Sequence, residues 1–347
     1  MEPLEIDGSH GEGGGQLTRL AVALAAMTGR PLRLVRIRAG RARPGLRPQH
    51  LAAVRAIATL CDGSLAGDAI GSGELHFRPG RIRGGTYRFD VGTAGSIALV
   101  LQAILPVALR AAAPSLVTIA GGTDVPKAPP LDYLRLVFLP LLGRMGAEVG
   151  IDLLRRGYYP RGGGEVQVRI PGVARLDALR LDQPGSVQAI CGVAHVANLP
   201  PHIAERMSAA ARESLGDLGP VQIKTQLLGE AEAVGRGGAV VVVARTENGV
   251  LGAGTVAERG VPAERLGSEV GWELRRDLEG GAGVDIHAAD QLLIYAAQAT
   301  RPSVFTVRRA SLHAATVMWL TEQFLPAHFS TSPWRVLQRI EVSPDRA

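Results

Sequence analysis

One order of elements recurs along this chain, and an internal period of that length limits the fold more tightly than any short motif. A glycine-rich turn, "GEGGGQ", leads into "LTRLAVALAAM", where Leu17, Leu20, Leu24 and Met27 fall at i, i+3, i+7 and i+10, one face of a helix. A strand-like "PLRLVRIRAG" follows, then a Pro/Gly loop, a second helix in "HLAAVRAIATLCDG", and strand-like pieces around "LHFRPG" and "YRFDVG" that close the unit. The order returns from "GTAGS". It brings a helix "IALVLQAILPVAL", a strand "SLVTIAGG", the loop "TDVPKAPP", a helix "LDYLRLVFLPLLGRMG", and closing strands in "AEVGIDLL" and "GEVQVRI". A compressed third copy runs from "GVDIHAADQLLIYAAQA" through "SVFTVRR" and "SLHAATVMWLTEQFL" to "AHFST" and "RVLQRIEV". Each copy reads helix–strand–helix–strands. That pattern predicts an α/β (α+β) fold of three sheets, each with two helices on one face, packed helices-inward around one core.

The stretch between the second and third copies breaks the order. It offers a strand "SVQAICGVAHVA", an amphipathic helix "IAERMSAAARESL", strands "VQIKTQLL" and "AVVVVARTENG", and a helix "AERLGSEVGWELRRDLEGG". These elements suffice for a small α/β domain inserted into the larger one. The expected division is 1–181 for the first two units of the core, 182–281 for the insert and 282–347 for the third unit.

Apolar residues make up 46% of the chain but aromatics only 4%, so the core must rest on Leu, Val, Ile and Ala. The net charge is +6 and is carried almost wholly by arginine, Lys127 and Lys224 being the only lysines. Guanidinium groups suit phosphate-bearing partners. Cys61 and Cys191 stand far apart, with neither zinc spacing nor a disulfide framework, and the N-terminus shows no basic-then-apolar signal. A cytoplasmic protein is expected. The greasiest run, "IALVLQAILPVAL", is broken by Gln102 and Pro106 and falls short of the roughly 20 apolar residues a membrane span needs, so no membrane partner is expected.

Chemistry gathers at the turns. Gly11-Glu12-Gly13-Gly14-Gly15 precedes a helix, as a phosphate-cradling loop does, but no Gly-Lys-Ser/Thr follows and Gln16 occupies the place of the last glycine in a dinucleotide fingerprint. Glu12 inside such a nest would repel an anion unless a divalent cation lay between them. Gly92-Thr93-Ala94-Gly95-Ser96 is the same device in the second copy, and Gln102 follows it among leucines, either packed on a neighbouring backbone or reading a ligand. Arg36, Arg38, Arg41, Arg43 and Arg47 crowd into 12 residues; period two puts Arg36 and Arg38 on one strand face with Val35 and Ile37 on the other. The loop arginines read as a phosphate-binding surface, against the plainer reading of a solvated basic face.

Among the eight histidines, His76, His195, His202 and His328 read as surface or strand residues, and His10 and His50 as supporting groups beside the glycine and arginine loops. No pair has zinc spacing. His313 shares a stripe with Val317, Leu320 and Phe324, so its ring is expected to lean toward the core, yet it occupies the first turn of its helix after an N-cap at Ser311. A helix start offers unpaired N–H groups and a positive dipole end, which favour a neutral imidazole and welcome phosphate oxygens. A neutral ring nitrogen is what a nucleophile needs. Of the neighbouring Arg308 and Arg309, at most one can assist, because successive strand residues point to opposite faces.

The blocks "DGSHGEGGGQLTR", "IRAGRARPGLRPQHL", "VGTAGSIALVLQAILP", "GGTDVPKAPP", "YYPRGGGEV" and "HAADQL", in this order across nearly the whole chain, resemble those of the RNA 3′-terminal phosphate cyclase family. The resemblance implies a large domain of three repeated βαβαββ-like units with a small inserted α/β domain. It implies an ATP-dependent ligase acting on RNA with a 3′-phosphate end in three steps: a histidine takes AMP from ATP, AMP passes to the 3′-phosphate, and the adjacent 2′-hydroxyl closes a 2′,3′-cyclic phosphate. By the same resemblance His313 is the nucleophile, and Glu12 holds a Mg²⁺ or Mn²⁺ ion. Arg19, Arg41 and Arg43 contact phosphates or RNA, and Gln102, Pro129, His287, Ala288, Ala289, Asp290 and Gln291 surround the adenosine. Some family members have a tyrosine where His287 stands, stacking adenine against the proline; imidazole offers less surface. Two other readings of the pattern are a non-catalytic relative acting in ribosome assembly, which would lack the nucleophile, and an enolpyruvyl transferase, which would need more repeats.

Overall fold

The computed structural model describes residues 2–92, 94–173 and 175–344; Thr93 of the second glycine turn lies outside them. The chain opens with strand β1 (Leu4–Asp7), helix α1 (Gly15–Thr28), strand β2 (Leu32–Val35), helix α2 (Pro48–Leu60) and strands β3 (Ser64–Ala66) and β4 (Leu75–Arg78). Their sheet runs β1-β2-β4-β3, with the first pair parallel and the other two antiparallel. Next come β5 (Gly85–Asp90), α3 (Ile97–Ala108), β6 (Ser115–Gly121), a helical segment from α4 (Leu131–Tyr133) to α5 (Leu139–Gly143), β7 (Gly150–Gly157) and β8 (Gly164–Ile170). The second sheet runs β5-β6-β8-β7 with the same senses.

A two-residue strand β9 (Arg180–Leu181) follows, and its sheet is completed only much later in the chain. Between lie β10 (Val187–Ala197), α6 (His202–Leu215), β11 (Val221–Leu228), β12 (Ala233–Val234), β13 (Gly237–Thr246), β14 (Val250–Val256) and α7 (Ala263–Gly280). β12 adds to the edge of the second sheet, while the others form a sheet of their own in the order β11-β10-β13-β14. The chain closes with α8 (Ile286–Ala296), β15 (Ser303–Val307), α9 (Leu312–Glu322), β16 (Ala327–Trp334) and β17 (Leu337–Pro344), in a sheet ordered β9-β15-β17-β16. Here too the first pair is parallel and the others antiparallel. One order and one set of senses therefore occur three times.

"YRFDVG" does not close the first unit. As β5 it pairs with β6 and opens the second sheet, and β1 and β9 hold the equivalent positions in the other two. A second difference lies at the end of β2. The strand stops at Val35, and Arg36 and Arg38 take left-handed φ values of 51° and 53°, so the two-residue alternation expected there does not extend past the strand. The helix expected over 131–146 is interrupted by a π-helical turn, Leu134–Phe138, just before Pro140, which has no N–H to complete an ordinary helical ladder.

The core lies between the sheets, among the helices. α1 is buried on nearly every face and packs on α2, α3 and α9, while α8 bridges α3 and α9. Leu17, Val22 and Leu24 of α1 have no exposed surface, and small residues (Ala21, Ala23, Ala25) let neighbouring helices approach closely. β13 shows how the sheet β11-β10-β13-β14 docks. Val240, Val242 and Ala244 join a separate apolar cluster under α6 and α7, while the alternating Val241 and Val243 belong to the main core.

A buried ionic cluster sits at this junction. Arg156 of β7 donates to Asp124 (3.0 Å) and Asp132 (2.6 Å), and His195 of β10 lies 3.6 to 3.7 Å from the same two carboxylates. His195 is thus a strand residue, as read, but one only 1% exposed. Burial would raise the Asp124 carboxyl, but the adjoining Arg156 guanidinium and His195 hold it below the usual carboxylate range. Asp124 also accepts from the Leu131 N–H (3.3 Å), which fixes the loop carrying Pro129.

Candidate active site

The starts of α1 and α9 meet, and α1, α3, α8 and α9 together line one cleft. The glycine loop that begins α1 takes left-handed φ at Gly11 (58°) and Gly13 (57°), and the Gly13 N–H donates back to the His10 carbonyl at 2.9 Å. A Cβ at Gly14 would overlap the Glu12 carboxylate, and one at Gly15 would overlap the His50 ring. The bare backbone therefore lets Glu12 fold over the loop and His50 pack beneath the helix. Burial, with Arg19, Arg38 and Arg47 nearby, drives His50 down to about 3, so it stays neutral. Its Nδ1 accepts from the Arg47 N–H at 3.2 Å.

α9 clamps this loop with one face. His313, Thr316 and Trp319, spaced three apart, all point at it. The Glu12 N–H donates to Thr316 Oγ1 at 3.1 Å, and His10 stacks on Trp319 with ring centroids 3.6 Å apart. Ser311 caps the helix, accepting from the Ala314 N–H at 2.9 Å, and its hydroxyl donates to Asp290 of α8 at 2.8 Å. His313 Nδ1 lies 2.6 Å from Gln16 Oε1 and 4.0 Å from Glu12 Oε2. The ring does not lean into the core as expected. Val317, Leu320 and Phe324 are buried, but the His313 side chain is 48% exposed, because its position in the first turn of α9 lies beyond the packed stripe and over the glycine loop.

Of the crowded arginines, one reaches this loop. Arg41 donates to the Glu12 carbonyl at 2.8 Å and pairs with the Glu12 carboxylate. Arg36 pairs with Asp7, and Arg38 holds the loop together through the carbonyls of Arg43 and Gly45, both at 2.8 Å. Arg43 is exposed. Arg308 is engaged with Asp277 at 2.8 Å, turned toward α7.

The cleft is lined by Gln16, Arg19, Leu20, Gln102, Ala103, Phe138, Asp290, Gln291, Ile294, Tyr295 and Val317. It brings together Arg19, Gln102, Asp290 and Gln291 of the expected residues. Arg19 is only 7% exposed, with no carboxylate beside it among the described residues, and burial brings its guanidinium down to about 10. A buried charge is costly unless it is paired. Gln291 donates to the His287 carbonyl at 3.2 Å, and its buried Oε1 has no partner among the described residues. Burial raises Asp290 to about 6, against the Ser311 hydrogen bond.

Pro129, His287, Ala288 and Ala289 do not line the cleft itself. Ala288 and Ala289 are buried in α8, one turn before Gln291 and Leu292, while His287 is exposed and meets Tyr133 edge-on at 6.3 Å. The Tyr133 hydroxyl donates to Asp285 at 2.5 Å, and Asp285 caps α8 through the N–H groups of His287 and Ala288. This ties the α4 start, with Pro129 just before it, to the α8 start. Sequence reading missed Gln16, Thr316 and Trp319 as site residues. Gln16 was noted only as a departure from a glycine motif, and the helical spacing of 313, 316 and 319 was the available signal for the other two.

A divalent cation fits only in part. Among the described residues no group of three or more His, Cys, Asp or Glu could hold one. Glu12 alone could serve with phosphate oxygens and water completing the shell, the usual manner for Mg²⁺ at nucleotide sites. No helix among the described residues is long and apolar enough to cross a membrane.

A family model described as RNA 3′-terminal phosphate cyclase matches residues 10–331. Curated relatives bearing that name include one from Nitrosospira multiformis, 51% identical over 98% of this chain and 97% of its own length. Others are from Pyrobaculum aerophilum, 44% identical over 94% of each chain, and Methanopyrus kandleri, 43% identical over 94% of each.

Proposed function

Because this chain belongs to the RNA 3′-terminal phosphate cyclase family, we propose that it uses ATP to convert an RNA 3′-terminal phosphate to a 2′,3′-cyclic phosphate through a covalent histidine–AMP intermediate. We read the three like-ordered sheets as three copies of one βαβαββ unit, and residues 182–281 as a domain inserted before the third. The observation that carries the mechanism is the half-exposed ring of His313, set at a helix start beside a glycine loop and 2.6 Å from Gln16, which lines the cleft together with Arg19, a buried cation with no carboxylate partner among the described residues.

In the first step a lone pair of the His313 ring attacks the α-phosphorus of ATP, a P–N bond forms, and the bond to the bridging oxygen breaks to release pyrophosphate. The positive end of α9 and the guanidinium groups of Arg19 and Arg41 suit the negative charge that accumulates. The 3′-phosphate oxygen of RNA then displaces the imidazole, taking AMP. Finally the vicinal 2′-hydroxyl attacks the activated phosphorus, loses its proton, and expels AMP. Adenylylation supplies the good leaving group that a phosphomonoester dianion lacks, dividing one hard step into easier ones.

Gln102, Asp290 and Gln291 are the residues we assign to the nucleoside, flanked by Pro129, His287, Ala288 and Ala289. Gln291 Oε1 is an acceptor in want of a donor, such as an exocyclic amine. We assign Arg43, an exposed arginine of the same loop, to contacts with RNA. A Mg²⁺ or Mn²⁺ ion held by Glu12 would neutralise phosphate charge during the first step. The test is mass spectrometry of the ATP-treated protein: AMP attached to His313 is expected, and an adduct elsewhere, or none, overturns the mechanism.

A further inference from the structure

We propose that Gln16 is a positioning residue that fixes the tautomer of His313, holding the proton on Nδ1 so that Nε2 presents its lone pair to the cleft. This rests on the reading of His313 as the nucleophile and adds to it the side chain that holds its ring.

Among the described residues, only one ring nitrogen of His313 has a close side-chain partner. Nδ1 lies 2.6 Å from Gln16 Oε1, within hydrogen-bond range, while Nε2 has no partner among the described residues. A neutral imidazole carries one N–H and one lone pair. The amide oxygen of Gln16 can only accept, so the proton sits on Nδ1 and the lone pair on the open Nε2. The reverse amide orientation would present an N–H to Nδ1 and force the proton onto Nε2, leaving the accessible nitrogen without a lone pair.

Gln16 is well built for this task. It is the second residue of α1, and α1 is anchored in the core by Leu17, Ala21 and Leu24, all fully buried. The side chain lines the cleft, and its origin on a rigid helix sets the distance to α9. A neutral acceptor also suits the covalent stage. When Nε2 attacks phosphorus, the ring becomes cationic with its proton still on Nδ1, and an amide oxygen stabilises that N–H without removing it. The adduct then remains an N-phosphoryl imidazolium, whose imidazole leaves readily when the RNA phosphate attacks.

The experiment pairs spectroscopy with kinetics on the full-length protein. With ¹⁵N-labelled histidine, and His313 assigned by difference from His313→Asn, the ATP-free wild type is expected to show a protonated Nδ1 and a bare Nε2, while Gln16→Met, equal in length but without the acceptor, shows a mixture. Single-turnover AMP transfer to His313 is expected to fall about 10- to 100-fold in Gln16→Met, with the half-saturating ATP concentration changed less than about twofold. Gln16→Glu, which restores an oxygen acceptor, is expected to recover part of the rate. A bare Nδ1 in the wild type, an unchanged rate in Gln16→Met, or a Gln16→Glu no faster than Gln16→Met would each overturn the proposal. Failure of the underlying reading is separate: it would show as AMP mapped to a residue other than His313.

Discussion

Arg41 holds Glu12 twice, once through the main-chain carbonyl at 2.8 Å and once through the side-chain carboxylate. The pair closes the glycine loop against the arginine loop, beside His313. An incoming phosphate would share this guanidinium with Glu12. Arg41→Ala is expected to lower kcat/KM for 3′-phosphorylated RNA by about 10- to 100-fold, the effect of losing one charge-assisted hydrogen bond, mainly through KM. Steady-state cyclization at limiting RNA checks it. Unchanged activity there would remove the arginine loop from the end-binding surface.

His313→Ala should separate chemistry from stability. The side chain is 48% exposed and its one close partner is Gln16, so its loss is expected to change the unfolding free energy by less than about 1 kcal/mol. Adenylylation and cyclization are both expected to vanish. Circular dichroism melting alongside labelled-ATP transfer distinguishes the two effects, and normal cyclization by the variant would refute the covalent route.

How much of this was legible in the chain depends on the length scale of each signal. Helices α1, α3 and α9 announce themselves through runs of apolar residues at helical spacing, and β13 through "AVVVV". β1 and β9 do not, being four and two residues long, and only sheet pairing reveals that they and β5 play the same part. The candidate site divides likewise. Glu12 and the glycines sit in one readable loop, but the contact of Thr316 with Glu12 spans 304 positions, which no local pattern encodes. His313 misled because a stripe shared with Val317 and Leu320 says which face a helix buries, not where along its length burial begins.

The ionic cluster between β7 and β10 predicts a stability effect remote from the cleft. Arg156 is paired with Asp124 and Asp132, all three side chains being almost wholly buried. Arg156→Met strips Asp124 of its guanidinium and leaves Asp132 with Arg135 alone, and is expected to cost about 3–5 kcal/mol. Adding Asp124→Asn and Asp132→Asn is expected to recover much of that, since the unpaired charges are then gone. Urea denaturation of the three proteins measures it. A single variant as stable as wild type would mean that the guanidinium does not hold this junction.

Asp277 gives a pH dependence of defined sign. Its carboxyl is raised from 3.8 to about 6, chiefly by burial, against the lowering effect of Arg308. The folded state therefore binds a proton that the unfolded state has already released, and stability falls as pH rises. The contribution is whole below about pH 4 and is lost as pH climbs through about 6, roughly 3 kcal/mol in all. Asp277→Asn is expected to gain on wild type over this window. Parallel pH–stability curves in Asp277→Asn and wild type would contradict the assignment.

Glycine substitutions separate overlap from backbone strain. Gly29 ends α1 with φ 68°, and nothing lies within 4 Å of the position a Cβ would take, so Gly29→Ala is expected to cost about 1–2 kcal/mol of stability with activity unchanged. Gly14 has φ −107°, a conformation alanine adopts freely, but its Cβ would displace the Glu12 carboxylate. Gly14→Ala is therefore expected to melt close to wild type and yet to lose about tenfold or more in AMP transfer, because the carboxylate beside His313 is pushed from its place. The reverse pattern, a fully active Gly14→Ala with lowered stability, would show that the glycine run serves the fold of the turn and not the placement of Glu12.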